Sequence, residues 1–181
     1  CIFNSRIRVT GDMWWHLNWN KGNPTSSLHI ELLNGHINNI TRFKLFLPKS
    51  RYGGNELFTA IFLKKLGFLS PRTFFTKAKV NGFTGEYIFQ EDLRKEFLEH
   101  YLLREGPILE GDERFTISLK DSEQTTRKQM NLSKLANKAY AKKSIANSRI
   151  ALDSVSNLNL LYLHNHKAKV PELFQKSAMY L

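Results

Sequence analysis

Residues 72–90 read RTFFTKAKVNGFTGEYIFQ, and this stretch decides the fold. Both of its ends are rich in β-branched and aromatic residues, and the pair Asn81-Gly82 separates them. Asn-Gly is the strongest short-range signal of a two-residue β-hairpin, because both residues tolerate the positive φ angles of such a turn. The pattern therefore predicts a hairpin with strands over 72–80 and 86–90.

Upstream of this hairpin the sequence predicts more of an antiparallel sheet. Three segments have the alternating or β-rich pattern typical of strands: 5–9, 27–33 and 41–47. Asn34-Gly35 predicts a turn between the last two. Residues 55–66 place apolar side chains at helical spacing and end at Gly67, a common helix stop. The predicted order is β, ββ, α, ββ, an α+β sheet interrupted by one helix.

Downstream of the hairpin the sequence predicts mostly helices. Their expected ranges are 90–103, 131–147, 149–164 and a further helix from about Pro171. A short strand at 115–119 follows an acidic turn at 110–113, and the polar stretch 120–129 is expected to be a linker. Solvation of that acidic turn is favoured over Mg²⁺ binding. Two lobes are therefore predicted, 1–91 and 92–181.

Charge and composition narrow the classes of partner. The net charge of +11 attracts phosphate-bearing ligands, which include nucleotides, nucleic acids and anionic lipids. No apolar stretch approaches the roughly 18 residues that a membrane helix needs. The single cysteine, Cys1, excludes an internal disulfide and a Cys-based zinc site. Both termini are typical of a cut chain, so the compartment stays open, with the cell envelope or another extracytoplasmic location among the alternatives.

Five motifs, taken in order, carry a family resemblance: Arg6-Ile7-Arg8-Val9-Thr10-Gly11-Asp12, Arg42-Phe43-Lys44-Leu45-Phe46-Leu47-Pro48, Asn55-Glu56 with Leu66-Gly67, Val80-Asn81-Gly82 through Gly85-Glu86-Tyr87 to Gln90-Glu91, and Arg104-Glu105-Gly106-Pro107. Over about residues 5–115 the chain resembles the CotH kinase-like family, the spore coat CotH type. The resemblance implies a protein-kinase-like fold. It also implies ATP-dependent phosphoryl transfer to protein hydroxyls, with Mg²⁺, in a full-length parent.

The resemblance also suggests site residues. Phosphoryl transfer needs a cation for the phosphates and an acid that holds this cation. Lys44 or Arg51 is expected to pair with Glu56 in this way. Asp12 would line a nucleotide loop, and Glu91 would fall at a hinge between the lobes. Structural alternatives are an ordinary turn for Asp12, a solvated strand face for Lys44 and a helix-start acid for Glu91.

The chain also departs from the family pattern. The strand Ser27-Leu28-His29-Ile30-Glu31 lacks the basic pattern of the family, which puts a phosphate-binding role for it in doubt. The catalytic aspartates are expected beyond Leu181, so the 181-residue piece itself is predicted to be inactive. Two alternatives stay open. One is a nucleic-acid- or surface-binding module built from the basic residues after 120 and the Trp-rich segment 13–19, and the other is a pseudokinase scaffold.

Overall fold

The structure, a computed structural model, describes residues 1–11, 16–20, 23–120 and 127–163. The chain divides into two compact units, Cys1–Leu103 and Arg104–Leu181. The candidate residue Asp12 and the helix predicted from Pro171 lie outside the described residues.

The first unit is an antiparallel sheet with short helical connections. Its strands are β1 Ser5–Val9, β2 Leu17–Asn20, β3 Asn23–Ser26, β4 Leu28–Leu32, β5 Arg42–Phe46, β6 Thr73–Val80 and β7 Phe83–Glu91; its helices are α1 Asn55–Lys65 and α2 Lys95–His100. Five strands form one sheet in the order β1-β4-β5-β7-β6, and β2 pairs with β3 in a separate hairpin. Every pairing in the sheet is antiparallel, and α1 lies in the connection from β5 to β6. The predicted α+β class with an interrupted antiparallel sheet is confirmed.

The central hairpin forms at the predicted pair. Asn81 has a φ of 50° and Gly82 a φ of 87°, as a type I′ turn requires. Val80 therefore pairs directly with Phe83, so that β7 begins three residues earlier than the sequence predicted. At its other end β7 continues to Glu91, where a helix was predicted to begin at residue 90. That helix prediction is wrong at its start, because pairing with β5 extends the strand.

One face of the sheet is apolar. Its buried residues include Leu28, Ile30, Phe43, Leu45, Tyr87 and Phe89. Successive side chains of a strand point to opposite faces, so the neighbours of these residues lie on the other face. That second face is polar over most of β1, β4 and β5, and it is where the candidate site lies.

The second unit begins with a long hairpin. Its elements are β8 Leu109–Lys120, β9 Arg127–Leu135, α3 Lys138–Lys143 and α4 Ile145–Leu163. The acidic turn predicted at 110–113 and the helical start predicted at 131–135 are both wrong, because these segments pair with each other as strands. The partner strand supplies the backbone hydrogen bonds, and this non-local contact overrides the local helical preference. Helix α4 overlaps the helix predicted at 149–164 and begins four residues earlier.

Asn137 follows β9, and its side chain links that strand's end to the segment just before β8. Its side chain accepts a hydrogen bond from the Ile108 amide at 2.8 Å and donates one to the Gly106 carbonyl at 2.7 Å.

Within the described ranges, no helix has the length and apolar character needed to cross a membrane.

Candidate functional site

Two rows of polar side chains cross the sheet of the first unit. Strand register places Arg8, His29, Lys44 and Gln90 side by side, and Arg6, Glu31 and Arg42 in the next row. Both rows lie opposite the apolar cluster, because their positions alternate with its members along each strand. We call these seven residues the polar face.

Glu31 is held by two arginines of the polar face. Arg6 Nη1 lies 3.2 Å from Glu31 Oε2, and Arg42 donates a short hydrogen bond to Glu31 Oε1. The hydrogen bond from Arg42 lowers the pKa of the Glu31 carboxyl below its usual value, more than partial burial raises it. Glu31 is therefore ionised at neutral pH.

Asp92, which directly follows β7, contacts three basic groups. Its carboxylate lies 3.6 Å from Lys44 Nζ, 3.2 Å from Arg94 Nε and 3.5 Å from His29 Nε2. Burial alone would raise the pKa of Asp92, since only 14% of its side chain is exposed. The charges of Lys44 and Arg94 outweigh that cost, and the net result is a lowered pKa.

His29 lies between Arg8 and Asp92 and is 9% exposed. Its Nδ1 accepts hydrogen bonds from Arg8 Nε at 3.0 Å and Nη2 at 2.7 Å, since a guanidinium can only donate. This places the proton of the neutral ring on Nε2, which is buried and has no hydrogen-bond partner among the described residues. Burial lowers the pKa of His29, and the nearby Arg8, Lys44 and Arg42 lower it further against the opposing effect of Asp92.

Mild acid is expected to destabilise the first unit through His29. Between its lowered pKa and the usual value of 6.5, the unfolded chain binds a proton that the folded chain does not, so the free energy of unfolding decreases as the pH falls. Glu31 and Asp92 act in the same direction at lower pH: their stabilisation is present above the carboxyl range and is lost as the pH falls through their lowered pKa values.

Urea unfolding measured from pH 7.5 to 5.5 checks this expectation. His29→Gln should flatten the decline that begins near pH 6.5, because the titrating ring is gone. His36→Gln, at an exposed position, is the control and should keep the parent's slope. A His29→Gln variant with the parent's full decline would show that another group is responsible.

A second cluster of charges lies at the start of α1. Arg51 ends the 3-10 turn Pro48–Arg51, and its Nη1 lies 3.8 Å from Oε2 of Glu56 in the first turn of α1. Gln90 Nε2 donates to the other Glu56 oxygen at 2.5 Å. The Arg51 guanidinium also lies over the Phe46 ring, 3.9 Å from its centroid, as in a cation–π contact. Through Gln90 this cluster adjoins the polar face at Lys44.

The four described residues among the five suggested by the sequence lie in different surroundings. Arg51 makes the ion pair with Glu56, whereas Lys44 pairs with Asp92 instead. Glu91 is on the opposite face of β7 from Gln90 and is 1% exposed, with Arg72 Nη2 at 2.6 Å and Nε at 2.8 Å from its oxygens. A ligand role for Glu91 stays a prediction, as does the role of Asp12.

The sequence reasoning missed the rest of the polar face. The strand that carries His29 was set aside as a departure from the family, and neighbouring Asp92 was not suggested as a site residue. A usable signal was present: basic residues recur at spacing two in Arg6 and Arg8, and again in Arg42 and Lys44. In a strand this spacing puts each pair on one face.

The polar groups fit phosphate better than they fit a metal ion. The Arg51 side chain is 35% exposed and the Lys44 side chain 32% exposed, so both can reach an anionic oxygen. In the described ranges, no group of three or more His, Cys, Asp or Glu side chains could hold a metal.

Comparison with protein-family models and with curated proteins found no match to this chain. The functional assignment therefore comes from the polar face, the cluster at α1 and the motifs described above.

Proposed function

We propose that residues 1–103 are the nucleotide-side lobe of a kinase-like phosphotransferase and bind the phosphates of ATP beside Lys44 and Arg51. The observation that carries this proposal is the Arg51–Glu56 ion pair at the start of α1. Gln90 ties Glu56 to the strand beside Lys44. Glu56 thus orients Arg51, and through Gln90 it is linked to the strand that pairs with the strand of Lys44.

The order of the elements supports the proposal. In protein kinases a strand lysine binds the phosphates and pairs with a glutamate on the helix that follows. Here Lys44 lies on β5, the third strand of the sheet in chain order, and Glu56 lies on α1, the next α-helix. The arrangement differs in one respect, since Arg51 and not Lys44 pairs with Glu56. An arriving phosphate would compete with Asp92 for Lys44.

Each residue then has a defined task. Lys44 and Arg51 neutralise phosphate oxygens, and Glu56 and the Phe46 ring keep the Arg51 guanidinium in place. ATP supplies the phosphoryl group, and Mg²⁺ would arrive on its phosphates because the described residues offer no metal cluster of their own. The resemblance to CotH-type proteins suggests a protein hydroxyl as the acceptor in the parent.

Calorimetric titration with Mg-ATP tests the proposal without requiring turnover. Lys44→Gln and Arg51→Gln should each weaken binding by about 10-fold or more, because a hydrogen bond to a charged group contributes about 1.5–3 kcal/mol. Lys64→Gln, in the last turn of α1 and exposed, removes the same charge and should leave the affinity unchanged. No binding of ATP, or equal losses in all three variants, would contradict the proposal.

The same protein can be titrated with a single-stranded oligonucleotide to weigh the nucleic-acid alternative. That alternative requires binding that weakens steeply as salt increases, because counterions are released from the phosphate backbone. The proposal requires instead that Mg-ATP binds and that the variants at Lys44 and Arg51 lose this binding selectively.

A further inference from the structure

A cleft opens at the end of the polar face that lies away from the cluster at α1. Its lining residues are Arg6, Arg8, His29, Glu31, Arg42 and Arg94, and we call it the arginine cleft. Its volume is about 220 Å³. Pockets for drug-sized molecules usually measure about 300–1,000 Å³, so this cleft suits a single anionic group better than a whole nucleoside.

Positive charge exceeds negative charge in and beside the arginine cleft. Five cations are present when Lys44 is counted with the four arginines of the lining, and they face two carboxylates, Glu31 and Asp92. Arg6 and Arg42 share Glu31, while Arg94 and Lys44 share Asp92. With His29 neutral, the cations outnumber the carboxylates here by three among the described residues.

Arg8 is the cation whose charge is least satisfied. Both of its hydrogen bonds go to the neutral ring of His29, and within the described residues it contacts no carboxylate. His29 itself is nine-tenths buried in the lining, with its Nε2 lacking a hydrogen-bond partner in the same residues. A guanidinium without a carboxylate partner among the described residues therefore lies at this cleft against the neutral ring of His29, whose Nε2 faces Asp92.

The chemistry of the lining selects a phosphate over a carboxylate. A guanidinium presents N–H donors in a planar fork that matches two oxygens of one phosphate group. A phosphate monoester carries close to two negative charges at neutral pH and has three terminal acceptor oxygens, so more than one arginine can bind it. A carboxylate has one charge and two oxygens, which would leave most of the excess charge uncompensated.

We infer that the arginine cleft binds a phosphomonoester dianion, as a site separate from the nucleotide site proposed at Lys44 and Arg51. Arg8 is the principal donor, with Arg6 on the same strand beside it. This site goes beyond nucleotide binding, because the cleft lies on the other side of Lys44 from α1.

NMR titration of the ¹⁵N-labelled chain with inorganic phosphate and with O-phosphoserine tests the inference, with serine as the uncharged counterpart. Amide shifts should change at residues 6, 8, 29 and 31 with both phosphates and not with serine. Arg8→Gln should raise the Kd about 10-fold, and Arg8→Lys should give a smaller loss since it keeps the charge but not the fork. Lys79→Gln, an exposed residue of the outer strand β6, should have no effect.

The outcomes separate the sources of the phosphate and the two proposed sites. Tighter binding of O-phosphoserine identifies a phosphorylated side chain as the ligand, and equal or tighter binding of inorganic phosphate identifies the free ion. Absence of binding, equal losses in Arg8→Gln and Lys79→Gln, or displacement of phosphate by ATP in a one-to-one manner would overturn the inference. Loss of ATP binding in Arg51→Gln with phosphate binding retained supports both sites, whereas no effect of Arg51→Gln on ATP affects only the nucleotide proposal.

Discussion

Replacing Arg72 with methionine is expected to lower the free energy of unfolding by about 3–5 kcal/mol, the range for breaking a buried ion pair. Glu91 is 1% exposed, and its oxygens accept two hydrogen bonds from the Arg72 guanidinium and a third, at 3.3 Å, from the Arg72 backbone amide. Without the Arg72 guanidinium, the Glu91 carboxylate would be a buried charge without its cation. The same guanidinium also donates to the Asn38 carbonyl at 2.6 Å, so the variant loosens the connection between β4 and β5 as well.

Chemical unfolding of matched variants checks this result. Lys95→Met breaks the exposed Lys95–Glu99 pair and should cost less than about 0.5 kcal/mol, because both partners are solvated. The double variant Arg72→Met, Glu91→Met should regain most of the loss, since removing both charges of a buried pair is often close to neutral. If Arg72→Met unfolds at the same urea concentration as Lys95→Met, Glu91 is not held by Arg72 in solution.

Replacing Phe46 with alanine is expected to cost about 3–5 kcal/mol of stability, the range for deleting a buried phenyl ring. Phe46 is 2% exposed and pairs across the sheet with Ile88, which is 0% exposed, so little solvent can enter to fill the space. Because its ring also supports the Arg51 guanidinium, the variant should bind Mg-ATP more weakly than the parent.

Two further variants separate the packing effect from the effect on Arg51. Phe58→Ala removes the same ring from a position that is 69% exposed and should cost about 1 kcal/mol or less. Phe46→Leu keeps most of the side-chain volume but not the ring, so it should lose less stability than Phe46→Ala and nearly as much ATP affinity. Normal ATP binding by a folded Phe46→Leu variant would exclude the ring from the proposed site.

The parts of the fold that depend on local chemistry were predictable. Asn81-Gly82 set its hairpin by itself, because the positive φ angles of the turn leave few alternatives for the flanking strands. The segment 131–135 was not predictable in this way. Its strand depends on pairing with residues between 109 and 116, which lie 15 to 26 positions earlier, and intrinsic propensity does not encode that contact.

The contacts of the candidate site could be predicted only between residues that are close in sequence. Arg51 and Glu56 are five residues apart and form the expected type of pair. Asp92 is 48 residues from Lys44 and 63 from His29, and only the register of three strands brings them together. Residue type and spacing along the chain do not predict contacts between residues this far apart.

The two outer strands of the sheet, β1 and β6, each carry a pair of basic residues at spacing two: Arg6 with Arg8, and Lys77 with Lys79. Exposed sheet edges tend to recruit a strand from another copy, which starts fibre growth and aggregation. Like charges on both margins oppose that contact at every edge-to-edge approach. Arginines suited to phosphate would thus also oppose aggregation of the chain at low salt. Multivalent anions would weaken this repulsion by neutralising the arginine charges.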